Sequence, residues 1–126
     1  MRLELLPELY AICQLDQSED RDISRIWRTT APFAVIRAAD ELTLILRQSA
    51  APQDARVEAG YRCFRVAGSL AFDVVGVIAA ISSVLSAANI PIFVVSTYNT
   101  DYVFVKQEYL DTVISELADH GYNWEI

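Results

Sequence analysis

A stretch of seventeen residues recurs in this chain. Pro32–Gln48, PFAVIRAADELTLILRQ, aligns without a gap on Pro91–Gln107, PIFVVSTYNTDYVFVKQ, when 59 is added to each position. Pro32 falls on Pro91, Val35 on Val94, Arg47 on Lys106 and Gln48 on Gln107, and the apolar strand positions coincide throughout. A shift of 51 likewise lays Tyr10–Leu15 on Tyr61–Val66. Internal duplication is the economical explanation, and it requires one supersecondary unit to be built twice, each copy burying its own apolar face.

The elements of that unit follow from periodicity. Leu9–Leu15 is rich in strand formers, and Phe33–Ala38 and Glu41–Gln48 are two strands joined by a turn at Ala39-Asp40. Between them Ile23, Ile26 and Trp27 lie at helical spacing, with start signals in Ser18–Asp22. The polar run Ser49–Gly60 is expected to connect the halves. The second half opens with a strand at Tyr61–Val66 and a loop, Ala67–Asp73. Next comes a helix over Val74–Ala88, whose apolar stripe uses positions 74, 77, 78, 81, 84, 85 and 88. Ile92–Thr97 and Tyr102–Lys106 form a hairpin, Glu108–His120 a second helix ending at Gly121, and Tyr122–Ile126 a last strand. In the first half the corresponding helix is shorter by eight residues. The expected fold is α+β, with two tandem ferredoxin-like βαββαβ modules, 1–59 and 60–126, the first with a shortened helix. Helices cover one face of each sheet, leaving the other to pack on a neighbour.

Composition narrows the function. With 126 residues, 53% of them hydrophobic, there is material for a packed core. A net charge of −7, spread without a basic cluster, argues against nucleic acid, whose phosphates need grouped Lys and Arg. Cys13 and Cys63 sit singly in strand-like runs, as expected of reduced thiols in a cytoplasmic protein. Residues 1–7 carry Arg2 and Glu4 and lack the pattern of an export signal. Val74–Thr100 holds no charge, but Asn89-Ile90-Pro91 interrupts it, so a buried helix and strand are expected rather than a membrane span.

Catalytic patterns are sparse. His120 is the one histidine and stands at a helix end, where a cation complements the dipole, without a nucleophile at suitable spacing. No CxxC or HExxH occurs, so neither a metal nor a cofactor is expected. Ala67–Asp73 lacks the glycine series and lysine of a phosphate loop, and the arginine an acylphosphatase-type site needs. Asp101–Lys106 has aromatic residues but not the glycine-aromatic start of an RNA-recognition strand. Two features remain. Phe72-Asp73 leads into the Val74–Ala88 helix, where Asp73 is either an N-cap or part of a site for an anionic guest, and Gly76 permits close approach. Ser96–Asp101 offers six hydrogen-bonding side chains, either as a self-satisfied turn or as a wall for a small polar ligand.

The run Phe72-Asp73-Val74-Val75-Gly76 together with the hairpin Ser96–Tyr102 resembles the second module of small bacterial ACT-domain proteins. That group is related to the amino-acid-sensing modules of aspartate kinases and to the cytosolic arginine sensors of animals. The resemblance covers the C-terminal half closely and the first half through the repeat. It implies two tandem ACT modules that are regulatory and not enzymes, with an amino acid held where modules or subunits meet. Carried over by position, Leu70, Phe72, Asp73, Val75 and Gly76 frame the ligand and Thr97, Tyr98, Asn99 and Asp101 face it. Backbone N–H groups near Val75 and Gly76 are expected to take the α-carboxylate, and Asp73 or Asp101 the α-ammonium. A homodimer and a regulated protein partner are the expected associations. The alternative is a ligand-free dimerisation module.

Overall fold

The computed structural model describes residues 1–16, 23–71 and 73–126. Phe72 and the helix-start signals of Ser18–Asp22 therefore lie outside the described residues. In chain order the elements are β1 (Arg2–Leu5), β2 (Tyr10–Leu15), α1 (Ile23–Thr30), β3 (Ala34–Arg37), β4 (Leu42–Arg47), β5 (Arg56–Val66), α2 (Val77–Ala87), β6 (Phe93–Ser96), β7 (Asp101–Lys106), α3 (Leu110–Asp119) and β8 (Asn123–Glu125). Single 3-10 turns follow β4 (Gln48–Ala50) and β7 (Gln107–Tyr109). The chain forms two compact units, Glu8–Tyr61, and Met1–Pro7 with Arg62–Ile126.

In the first unit the sheet order is β3-β4-β2-β5, antiparallel throughout. Alternate residues of β2 and β4 point to one face, so Ala11, Cys13, Leu15, Leu42, Leu44 and Leu46 make a single apolar layer. Ile23 and Ile26 of α1 pack on that layer. The helix ends as Thr29 and Thr30 donate their hydroxyls back to the carbonyls of Arg25 and Ile26 and Pro32 approaches.

The repeat holds to the residue. Strands β3 and β4 and their 3-10 turn map onto β6 and β7 and theirs with the same offset of 59 seen in the sequence. The turns close alike, Ala38 N on Glu41 O and Thr97 N on Thr100 O, both at 2.9 Å. The copies then diverge. Leu110 takes helical angles, φ −59° and ψ −45°, and continues into α3, whereas Ala51 has ψ 129° and leaves the turn extended. Ala51 precedes Pro52, which disfavours the helical region for the residue before it. The first unit thus has no second helix there, and Ala50, Ala51 and Ala55 cover the apolar layer instead.

In the second unit the order is β6-β7-β5-β1-β8. This is the ferredoxin-like path with one strand added: β1 lies antiparallel to β5, and β8 pairs with β1 in parallel. Helices α2 and α3 bury Ile81, Leu85, Val113 and Leu117 against Leu3, Phe64, Val66, Val103 and Val105. Trp124 meets Phe64 edge-on at 5.1 Å, its indole N–H donating to the carbonyl of Ile114. Both helices end in Schellman motifs. Ile90 N and Tyr122 N reach back to the carbonyls of Leu85 and Leu117, across Asn89 (φ 59°) and Gly121 (φ 91°).

Three expectations change. The polar run Ser49–Gly60 is not all connection, because β5 begins at Arg56, its exposed first residues held by pairing with β2. The first helix of the second half begins at Val77, not Val74. Gly76 stands at its N-cap with φ 84°, a conformation that ends helical continuity on its N-terminal side. The second helix opens as a 3-10 turn, and its α-helical part starts at Leu110 rather than Glu108. Among the described residues no helix is long and apolar enough to cross a membrane.

Candidate functional site

At one end of the second unit the chain from Leu70 to Ile78 faces the β6–β7 hairpin across a cavity of about 240 Å³. One wall is apolar, from Leu70, Ala71, Val74, Val77 and Ile78 beside Gly76, and the other is the polar run Ser96–Asp101.

Hydrogen bonds fix both walls. Leu70 N donates to Asn99 O at 2.7 Å, which sets the distance between them. Thr100, 3% exposed, donates its hydroxyl to Val66 O at 2.8 Å and so ties the hairpin to the end of β5. Thr97 uses its hydroxyl on Thr100 O at 3.1 Å, and Ser96 Oγ donates to Asp101 Oδ1 at 2.6 Å. On the facing side α2 starts with a glycine, so no side chain caps its N-terminus. The first-turn N–H groups precede the first helical bond, from Ala80 N to Gly76 O, and they and the helix dipole favour an anion.

Leu70, Gly76, Thr97, Tyr98, Asn99 and Asp101, expected from the sequence, all line this cavity. Val75 does not. It is 89% exposed and borders a separate hollow with Met1, His120 and Tyr122. Asp73 is exposed, outside the lining, and too early to cap α2. The wall also includes Ala71, Val74, Val77, Ile78, Ser96 and Thr100, which were not singled out. Ser96 and Thr100 belong to the polar hairpin already noticed. Of the other four, Ala71 falls in the expected loop and Val74, Val77 and Ile78 in the apolar stripe of the expected helix.

The remaining reactive groups are quiet. His120 Nδ1 lies 2.8 Å from the carbonyl of Glu116 at the end of α3. Cys13 and Cys63 are buried free thiols, and burial raises both pKa values, that of Cys63 to about 12. Among the described residues no group of three or more His, Cys, Asp or Glu could hold a metal ion.

The repeat supplies an internal comparison. In the first unit the positions of Ser96–Asp101 are occupied by Arg37, Ala38, Ala39, Asp40, Glu41 and Leu42. The hollow beside that hairpin is lined by Gln14, Leu15, Asp16, Asp40, Asp54 and Arg56. The hydroxyl-rich wall has no counterpart there.

Residues 56–119 match the ACT domain family. A protein of Agobacterium tumefaciens known from an X-ray crystal structure is 34% identical, with a TM-score of 0.85 over 98% of this chain and 91% of that one. A Vibrio cholerae protein, described as of unknown function and a possible transport protein, is 23% identical, with a TM-score of 0.74 over 94% of this chain and 88% of that one. The ligand-free regulatory subunit of aspartate kinase from Thermus thermophilus is 10% identical, with a TM-score of 0.70 over 93% of this chain and 95% of that one. The last two are similar in fold.

Proposed function

Because the chain belongs to the ACT-domain family, we propose that it is a regulatory protein that binds a free amino acid in the cavity between Leu70–Ile78 and Ser96–Asp101. The observation that carries this reading is the pairing, across that cavity, of an uncapped helix start with a carboxylate. The α-carboxylate lies against the N–H groups of Gly76, Val77 and Ile78, and Asp101 accepts from the α-ammonium. Asp73, outside the lining, has no part in this arrangement. A volume of about 240 Å³ falls below the ~300–1,000 Å³ of pockets for drug-sized molecules and suits a ligand of amino-acid size.

In this reading the protein does no chemistry of its own. It works in the cytoplasm as a homodimer, and its occupancy is read by a regulated protein partner. The edge strands β6 and β8 leave backbone groups free for pairing with a second copy.

A thermal-shift screen against the twenty amino acids, repeated on Asp101→Ala, tests it. A ligand present at 100 times its Kd adds about 2.7 kcal/mol to the folded state, several degrees in Tm for a chain of this size. A selective rise that the substitution abolishes is the expected result. A flat profile, with a tight dimer by light scattering, instead supports the ligand-free dimerisation module.

A further inference from the structure

The charges lining the cavity define the ligand more narrowly. Its apolar wall carries one feature attractive to an anion, the first turn of α2, and among the described lining residues Asp101 is the one carboxylate. Among the described lining residues there is no Lys or Arg. These two features match one carboxylate and one ammonium, the main-chain groups of any amino acid, and leave no opposite charge for an ionised side chain. An acidic side chain would meet Asp101 without a balancing cation, and a basic one would compete with the α-ammonium for the same carboxylate.

The aliphatic hydroxyls of the polar wall, moreover, are spent within the protein. The hydroxyls of Ser96, Thr97 and Thr100 are already committed to Asp101, to the Thr100 carbonyl and to the Val66 carbonyl. The Asn99 carbonyl is taken by Leu70 N. Beside the side chains of Tyr98 and Asn99, the larger surface offered to a ligand side chain is that of Leu70, Val74, Val77 and Ile78, which rewards apolar area.

We infer that the cavity selects an amino acid with an uncharged aliphatic side chain, and that Asp101 is the residue that excludes acidic ones. This rests on the amino-acid-sensor reading above. Isothermal titration with leucine, isoleucine, valine, glycine, glutamate, lysine and arginine measures it directly. The expected order places the branched aliphatic amino acids first, with glutamate weaker by roughly tenfold or more. Glycine is weaker as well, since it lacks the area the apolar wall buries.

Val74→Lys provides the second arm. Val74 is 48% exposed and outside the packed core, so the change leaves ligand-free stability near that of the parent. It supplies the missing cation and narrows the leucine-to-glutamate ratio roughly tenfold. Glutamate, lysine or arginine binding as tightly as leucine overturns the selectivity while leaving the sensor reading intact, and so does a ratio that Val74→Lys fails to move. No binding by any of the seven overturns the selectivity, and no response to any of the twenty amino acids overturns the sensor reading with it.

Discussion

Thr100→Val isolates the bond that carries the hairpin wall. The side chain is 3% exposed, its hydroxyl donates at 2.8 Å to the carbonyl of Val66, and Val66 is fully buried. Valine keeps the shape and removes the donor, so the carbonyl loses a partner where water cannot replace it. The lost bond is worth about 1 kcal/mol net, and the cost of the stranded acceptor brings the total to about 2 kcal/mol. For a chain of this length that is about 5–10 °C in Tm.

Urea unfolding in a Trp27→Phe background, read by fluorescence, reports on Trp124, which packs on Phe64 inside the same unit. The midpoint falls while the slope with urea is unchanged. Thr29→Val, which removes a hydroxyl bond of 2.7 Å on the exposed side of α1, is the control and stays within about 0.5 kcal/mol. A loss at Thr100 no larger than that control refutes the claim that this hydroxyl anchors the wall.

Two further outcomes are expected. Titration with the best amino acid gives one site per chain, because the first repeat has Ala38, Ala39 and Leu42 where the second has Thr97, Tyr98 and Asp101; two equal sites would contradict this. The folded-state pKa of Cys63, about 12, lies above its ordinary value of 9.0. The unfolded chain therefore ionises first, and the stability held below pH 9 is lost progressively as pH rises toward 12. Cys63→Ala, destabilised at neutral pH by its cavity, shows a flatter decline over that window in urea titrations at fixed pH. An equal slope in the two proteins argues against the burial effect.

Much of this architecture was legible because duplication fixes register. The offset of 59 that aligns Pro32 with Pro91 also pairs Ala34 with Ile45 as it pairs Phe93 with Phe104. What escaped was decided by backbone and partner rather than by composition. Arg56–Gly60 alternates charged Arg56 and Glu58 with Val57 and Ala59 and is mostly exposed, so its pairing with β2 is what makes it a strand. Val74 extends the helical stripe, yet Gly76 at φ 84° excludes it from α2. Val75 and Asp73 enter the expected site by position from the family resemblance, whereas Val77 and Ile78 read as part of the helical stripe. Four-residue β1 has no signal strong enough to show which strands it would join. Among the hairpin residues the sequence offered Thr97, Tyr98, Asn99 and Asp101, and missed that buried Thr100 holds them in place.

The position of β1 governs when this protein can finish folding. Residues 2–5 are made before the strands that flank them on either side, Phe64–Val66 and Asn123–Glu125. At ~5–20 residues per second the strand waits on the order of ten seconds for β8. During that interval Leu3, destined for complete burial, has no finished sheet to enter. The unit that holds the cavity is completed only around a strand made before anything else in it, so its sheet stays open at β1 until β8 has been synthesised.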